Sequence, residues 1–324
     1  MSRLGYAGRR LLQAVPIILA MAVFNFLLLH LAPGDAADVL AGEAGSASPE
    51  FVARLRADFG LDQPLPLQLL FYVKQVVTLD LGFSFRHRTP VLSLILSRLP
   101  ATLILMTAAI GLAVGLGILL GVLAARHVNT WVDNAISVFA LLSYATPIFW
   151  IGLMLIVLFA IRLGWLPTHG FAAVGAAGSG LAHALDVGRH LVLPATTLAL
   201  FYVALYTRLM RASMLDVYGL EYVQSARAKG LSERRVAVKH VLRNALLPVV
   251  TMAGIQVGHM LGGSVLVETV FGWPGLGRLA FESVFARDIN LLLGLLLFSS
   301  ILVVAANLVT DLLYSVLDPR ITVR

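Results

Sequence analysis

The chain has 324 residues, of which 59% are hydrophobic and 13% charged, with mean hydropathy +0.89. A soluble domain carries about 45–50% apolar and about 25% charged residues, so this is the composition of a membrane protein. Cysteine is absent, which excludes disulfides, thiolate metal sites and cysteine nucleophiles, and the excess of 24 Lys+Arg over 17 Asp+Glu reads as a topology signal, with no nucleic-acid partner expected.

Six apolar stretches meet the requirement of about 20 residues for a helix crossing a hydrocarbon core of about 30 Å: Leu11–Leu31, Leu99–Ala125, Ala135–Ile161, Leu191–Leu209, Ala245–Val270 and Ile289–Leu317. The expected fold class is an all-α integral membrane protein with six transmembrane helices. Residues 1–10 form a short N-terminal tail. The first stretch is longer than the apolar region of a cleaved signal peptide, about 7–15 residues, and reads as an anchor. Residues 32–98 form a small helical segment between the first two spans. Within it Ser48, Pro49 and Glu50 signal a helix start and Gly60 a stop, while Thr89-Pro90 signals a second start. Pro66–Leu79 is too short to span and reads as an amphipathic helix lying on the membrane surface. The segment 163–190, with Gly164, Gly170, Gly175, Gly178 and Gly180, reads as irregular.

Six spans place both termini on one side of the membrane. That side holds fourteen Lys/Arg against five Asp/Glu, whereas the other holds ten against eleven. By the positive-inside rule, the N- and C-termini are cytoplasmic and residues 32–98 are external.

The cytoplasmic segment 213–247 is too polar to span. Glu221–Lys229 predicts a short helix stopped at Gly230, and Ser232 predicts the cap of a second helix, giving two helices bent at Leu231. Ser225, Ala226 and Ala228 leave little bulk near the bend, so its tip suits a groove on another protein. The plain alternative is a solvated basic loop that only sets topology.

Within the spans, Gly111/Gly115, Gly117/Gly121 and Gly254/Gly258/Gly262 form small-residue faces suited to close helix packing. Gln256, Met260 and Gly263 share another face and are candidates for a translocation path. Ser300, Asn307, Asp311 and Tyr314 form a polar stripe on the last span. Asp311 reads as the only carboxylate well inside a span, near its cytoplasmic end, and a structural ion-pair or hydrogen-bond role is expected for it. Phosphate-binding, zinc-protease and Gly-x-Ser-x-Gly signatures are absent, and no His/carboxylate cluster suggests a metal site.

The motifs Arg211–Asp216, Glu221–Glu233 and Arg243–Pro248 resemble the cytoplasmic coupling loop of ABC importer permeases in the dipeptide/oligopeptide/nickel family. Leu31–Asp35, Phe59–Pro64, Asp80–Gly82, Arg98–Thr102, Gly164–Pro167, Gly263–Phe271, Trp273–Gly277 and Leu317–Ile321 extend the resemblance along nearly the whole chain. The long 32–98 segment points to the B-type subunit of the permease pair.

That resemblance implies the type I permease fold, with residues 99–324 as the permease core, in the bacterial inner (cytoplasmic) membrane. It implies a non-catalytic subunit that binds no cofactor itself, ATP and magnesium being held by partners. Those partners are a homologous C-type permease, two ATPase subunits, an external substrate-binding protein and membrane lipid. Glu221, Gln224, Ser225, Ala226, Lys229, Gly230, Leu231, Ser232 and Arg235 then belong to the ATPase-coupling loop.

Two departures stand out. Gln224 replaces the glutamate that can pair with an ATPase arginine, so coupling should rest on packing and hydrogen bonds. Ile289-Asn290 follows Arg287-Asp288 where the family commonly has Tyr-Pro. The expected function is transport of dipeptides, oligopeptides or related solutes. Nickel- or glutathione-type permeases are the nearest alternatives, and an ion-coupled secondary transporter is the rival class.

Overall fold

In hydrocarbon a backbone must satisfy its own hydrogen bonds, and a helix does so within one segment. The computed structural model follows this rule. Among the residues it describes (3–31, 48–58, 61–84, 86–173 and 180–317), the only sheet is a pair of two-residue strands.

In chain order come α1 (Arg3–His30), α2 (Pro49–Asp58), α3 (Leu65–Thr78), β1 (Phe83–Ser84), β2 (Thr89–Pro90) and α4 (Val91–Arg126). They are followed by α5 (Trp131–Ala145), α6 (Ile148–Arg162), α7 (Leu181–Tyr218), α8 (Glu221–Ala228), α9 (Glu233–Val270), α10 (Leu276–Phe285) and α11 (Ile289–Leu317). Helices α4, α7, α9 and α11 are long and apolar enough to cross a membrane, and α5 with α6 makes a fifth if the bent pair counts as one span.

The described residues form two compact units: one from residues up to 100 with 278–308, the other from 101–277 with 309–317. In the first unit, Ala22 of α1, Val76 of α3 and Leu297 of α11 form a buried cluster with Ile18, Tyr72, Leu81 and Ile301. The rings of Phe26 and Tyr72 stack with centroids 5.6 Å apart. The expected surface helix Pro66–Leu79 is therefore α3, closed by Leu79 in the left-handed region at φ 56°, and it packs against both α1 and α11.

Ser48 caps α2, its Oγ accepting the Phe51 N–H at 3.3 Å. The Gly60 stop, residues 32–35 and residues 318–324 lie outside the described residues. The Thr89-Pro90 pair stands directly before a helix, as its signal predicts. It forms β2, antiparallel to β1 with Phe83 opposite Pro90 and Ser84 opposite Thr89, and α4 begins at Val91. An edge strand tolerates the missing proline N–H.

The second unit is built on α4, α7 and α9. Leu105, Ala109, Leu198, Tyr206, Met210 and Val249 are among its buried residues. The small-residue faces divide. A Cβ on Gly117 would clash with the Tyr206 Cβ, one on Gly121 would sit 2.6 Å from the Met210 Cβ, and one on Gly254 would clash with Thr310. Gly111, Gly115 and Gly262 meet nothing within 4 Å.

Two expectations change here. The stretch Ala135–Ile161 is not one straight helix: α5 and α6 are bent by 106°. Pro147 has no N–H and disfavours helical conformation at the preceding Thr146, which takes ψ 132°. Segment 163–190 is irregular only in part, because α7 already begins at Leu181. Its loop is pinned by the Gly170 N–H donating to the Phe271 carbonyl at 2.8 Å, and Phe171 packs on Trp273 with ring centroids 4.8 Å apart. Gly175 and Gly178 lie outside the described residues.

Candidate functional site

The segment after α7 folds into the bend that its pattern predicts. Glu221 sits in the first turn of α8, where a carboxylate suits the helix's positive end. The helix closes as the Gly230 N–H donates to the Arg227 carbonyl at 2.9 Å. Gly230 takes φ +76°, and a Cβ there would meet nothing within 4 Å. The strain of any replacement is thus confined to the backbone, and its side chain would project into open space.

Three sets of contacts hold this bend. Val223 and Ala226, three residues apart on one face of α8, are buried in the cluster that contains Met210, Met214, Val236, Val241 and Ala245. The Tyr222 hydroxyl donates to the His240 carbonyl at 3.2 Å and accepts from Asn244 Nδ2 at 2.7 Å. Across the bend, Arg227 Nε and Nη2 donate to the two Glu233 carboxylate oxygens at 2.8 and 3.2 Å, and the same guanidinium lies 5.4 Å from the Tyr218 ring centroid.

The nine expected loop residues therefore separate. Glu221, Gln224, Ser225, Lys229, Gly230, Ser232 and Arg235 are exposed, and Leu231 is half-buried. Ala226 is only 6% exposed. Its expected place on the exposed face of the bend is corrected, since it belongs to the core beneath the bend. Ser232 occupies the capping position in extended conformation, but its hydroxyl makes no capping bond. Instead its carbonyl accepts the Val236 N–H at 3.0 Å. Sequence reasoning misses the parts played by Arg227, Glu233, Tyr222 and Asn244. Opposite charges flanking a glycine are the signal that could have found the first two.

A second anchor lies where α7 passes α5. Arg211 Nε and Nη2 donate to the two Asp133 oxygens, each at 2.7 Å, and the Asn129 N–H adds a bond at 3.0 Å. Asp133 precedes the apolar stretch that starts at Ala135. Its carboxyl lies below the ordinary value because the Arg211 hydrogen bonds outweigh the opposing effect of burial, with the Asn129 N–H assisting.

The other candidates are dispersed. Met260 is 1% exposed and packs in the core, so it lines no open path within this chain. Gln256 is half-buried. Gly263 faces α7, where a Cβ would lie 3.5 Å from Leu198 Cδ1 and from the Tyr202 hydroxyl. Ser300 is buried and bonds back to the Leu296 carbonyl at 2.8 Å, whereas Asn307 is exposed, so the expected polar stripe does not share one environment. The side chains of Asp311 and Tyr314 lie outside those described.

A further carboxylate lies at the end of a long helix. Glu268, at the end of α9, is fully buried. It accepts from Thr102 Oγ1 at 2.8 Å, while the same hydroxyl accepts the Leu276 N–H at 2.7 Å. A Cβ on Gly275 would clash with the Glu268 carboxylate, and Trp273 Nε1 donates to the Ala101 carbonyl at 2.8 Å. The glycines of Trp273–Gly277 thus let the loop close over this carboxylate. Among the described residues, no group of three His, Asp or Glu side chains could hold a metal ion.

A polytopic helical chain carrying a braced polar bend between two long helices has the organisation of a membrane permease component. The chain belongs to the family of binding-protein-dependent transport system inner membrane components, whose model matches residues 117–323, with the family's N-terminal model matching residues 3–106. It is 40% identical to the oligopeptide transport system permease protein AppB of Bacillus subtilis (strain 168), over 98% of each chain. It is 41% identical to the glutathione transport system permease protein GsiC of Escherichia coli O6:H1, covering 98% of this chain and 99% of the relative. A chain of the MetNI methionine ABC transporter in an inward-facing conformation shares the fold, with TM-score 0.55 and 17% identity, covering 70% of this chain and 97% of that one.

Proposed function

We propose that this chain is the B-type transmembrane subunit of an ATP-driven importer of peptides. It pairs with a homologous C-type permease, receives substrate from an external binding protein, and is driven by two ATPase subunits that hold ATP and magnesium. Both termini face the cytoplasm. The 219–243 bend docks on the ATPases, so that closure of the motor on ATP pushes α8 and rocks the spans from inward-open to outward-open.

The observation that carries this reading is the bend itself. A loop that only set topology would need no Arg227–Glu233 bridge, no Tyr222–Asn244 brace and no buried Val223 and Ala226 beneath it. The peptide class is supported by the name of AppB, and GsiC names glutathione, itself a small peptide, as the second candidate. Reconstitution of the complete complex in liposomes tests the reading. Uptake of a labelled peptide should require ATP, both permeases, the ATPases and the binding protein, and competition by glutathione separates the two substrates. ATP-driven uptake by this chain alone would overturn it.

A further inference from the structure

Arg86, His87 and Arg88 form the turn between β1 and β2, with Arg88 in the left-handed region at φ 52°. Both arginines are exposed, and neither pairs with a carboxylate among the described residues. The base of the turn is hydrogen-bonded to the start of α11. Ser84 Oγ donates to Asp288 Oδ2 at 2.5 Å and accepts the His87 N–H at 3.2 Å. The other oxygen of Asp288 accepts the Leu291 N–H at 3.2 Å in the first turn of α11. Asn290 Nδ2 donates to the Phe83 carbonyl at 3.2 Å, which gives the unusual Ile289-Asn290 pair a structural role. One carboxylate and one amide at the start of the last span therefore hold the base of a hairpin whose tip carries two guanidinium groups with no carboxylate partner among the described residues.

We infer that Arg86 and Arg88 are a docking point for an acidic patch on the external binding protein. The inference rests on the importer reading above and on the external placement of residues 32–98. Arginine presents a planar fork that matches a carboxylate bidentately. Its cost of ordering on binding is reduced when the backbone that carries it is already fixed. Lipid headgroups make no such demand, because long basic side chains reach them by snorkelling. The charge also stands out locally, since without these two arginines the side of the membrane that carries this turn has eight Lys/Arg against eleven Asp/Glu.

The test uses the assembled complex in nanodiscs of zwitterionic lipid, with the peptide-loaded binding protein of the same transport system as probe. Arg86→Glu with Arg88→Glu should weaken binding about tenfold and flatten its salt dependence, because exposed interfacial charges act through long-range attraction. ATPase activity without binding protein should stay at the wild-type level. Arg86→Lys with Arg88→Lys keeps the charge and should lose less affinity than the reversal. Wild-type affinity and salt dependence in the reversed variant would overturn the proposal, as would a defect that appears only when anionic lipid is added.

Because the chain has no native cysteine, Arg88→Cys can be labelled with a membrane-impermeant maleimide on intact cells. No labelling, or no binding of the probe to the wild-type complex, would refute the external placement or the importer reading itself, and the docking point with it. Normal labelling and wild-type binding, with no effect of charge reversal, would reject the docking point alone.

Discussion

Arg227 and Glu233 are joined across Gly230 by two hydrogen bonds, at 2.8 and 3.2 Å. Their side chains are 42% and 67% exposed, so the bridge contributes little to stability. Its effect is geometric: it fixes the angle at which α8 meets α9. Arg227→Glu and Glu233→Arg should each leave expression and assembly intact and reduce binding-protein-stimulated ATPase activity about threefold to tenfold. The double swap should restore most of it. The check is the stimulated-to-basal ATPase ratio of the reconstituted complex; failure of the swap to rescue would argue against the geometric role.

At the tip, Gly230→Asp forces a non-glycine residue to φ +76°, at a local cost of about 1 kcal/mol or more, and puts a carboxylate at the negative end of α8. Insertion should survive while stimulation of ATPase is lost. Gln224→Glu, on the exposed face, should be tolerated. Ala226→Glu behaves differently: at 6% exposure it places a charge beneath the bend, so lowered complex yield and thermal stability are expected, not selective uncoupling. Thermal denaturation of each purified complex beside its ATPase ratio separates the two classes.

Asp133→Asn weakens the charge-assisted bonds from Arg211 and should destabilise the chain by about 1–2 kcal/mol, discounted for the partly exposed arginine. The direction of the pH effect follows from the lowered carboxyl. Pairing contributes fully above the unfolded carboxyl value and is lost as pH falls through the lower folded value. The variant's melting temperature should therefore fall less steeply with acidification than that of the wild type.

Helix packing gives a paired prediction. Gly117→Ala and Gly121→Ala drive a methyl against Tyr206 and Met210, an overpacking cost of about 1–3 kcal/mol each. Gly111→Ala and Gly115→Ala meet open space and should be neutral or slightly stabilising for this chain, as alanine favours a helix interior over glycine by about 1 kcal/mol. Thermal stability of the four purified single variants is the measurement. Equal losses at all four would contradict this packing.

Much of this architecture is legible in the sequence because hydrophobic length and glycine chemistry are local signals. The apolar runs mark the long helices, Ser48 marks the start of α2, and Gly230 marks the bend at which α8 stops. What the pattern misses is non-local. Whether Ala226 faces a partner or its own core depends on Met214 and Val241, which are remote in sequence. The buried role of Glu268 leaves no mark in the sequence because its partners, Thr102 and the Gly275 loop, reach it only through folding. The 106° break at Pro147 is hidden by an apolar run that continues unchanged on both sides of the proline.

The central claim is that the exposed tip beside Gly230 meets the ATPase on the cytoplasmic side. Ala228 is exposed next to that tip, and the wild-type chain lacks cysteine, so Ala228→Cys gives a single reactive position. In the assembled complex, a short bifunctional thiol–amine reagent should link this position to an ATPase subunit, with a yield that changes on ATP binding, and an impermeant maleimide should not label it on intact cells. Labelling from outside the cell, or the absence of any link to an ATPase in a complex that hydrolyses ATP, would contradict the account.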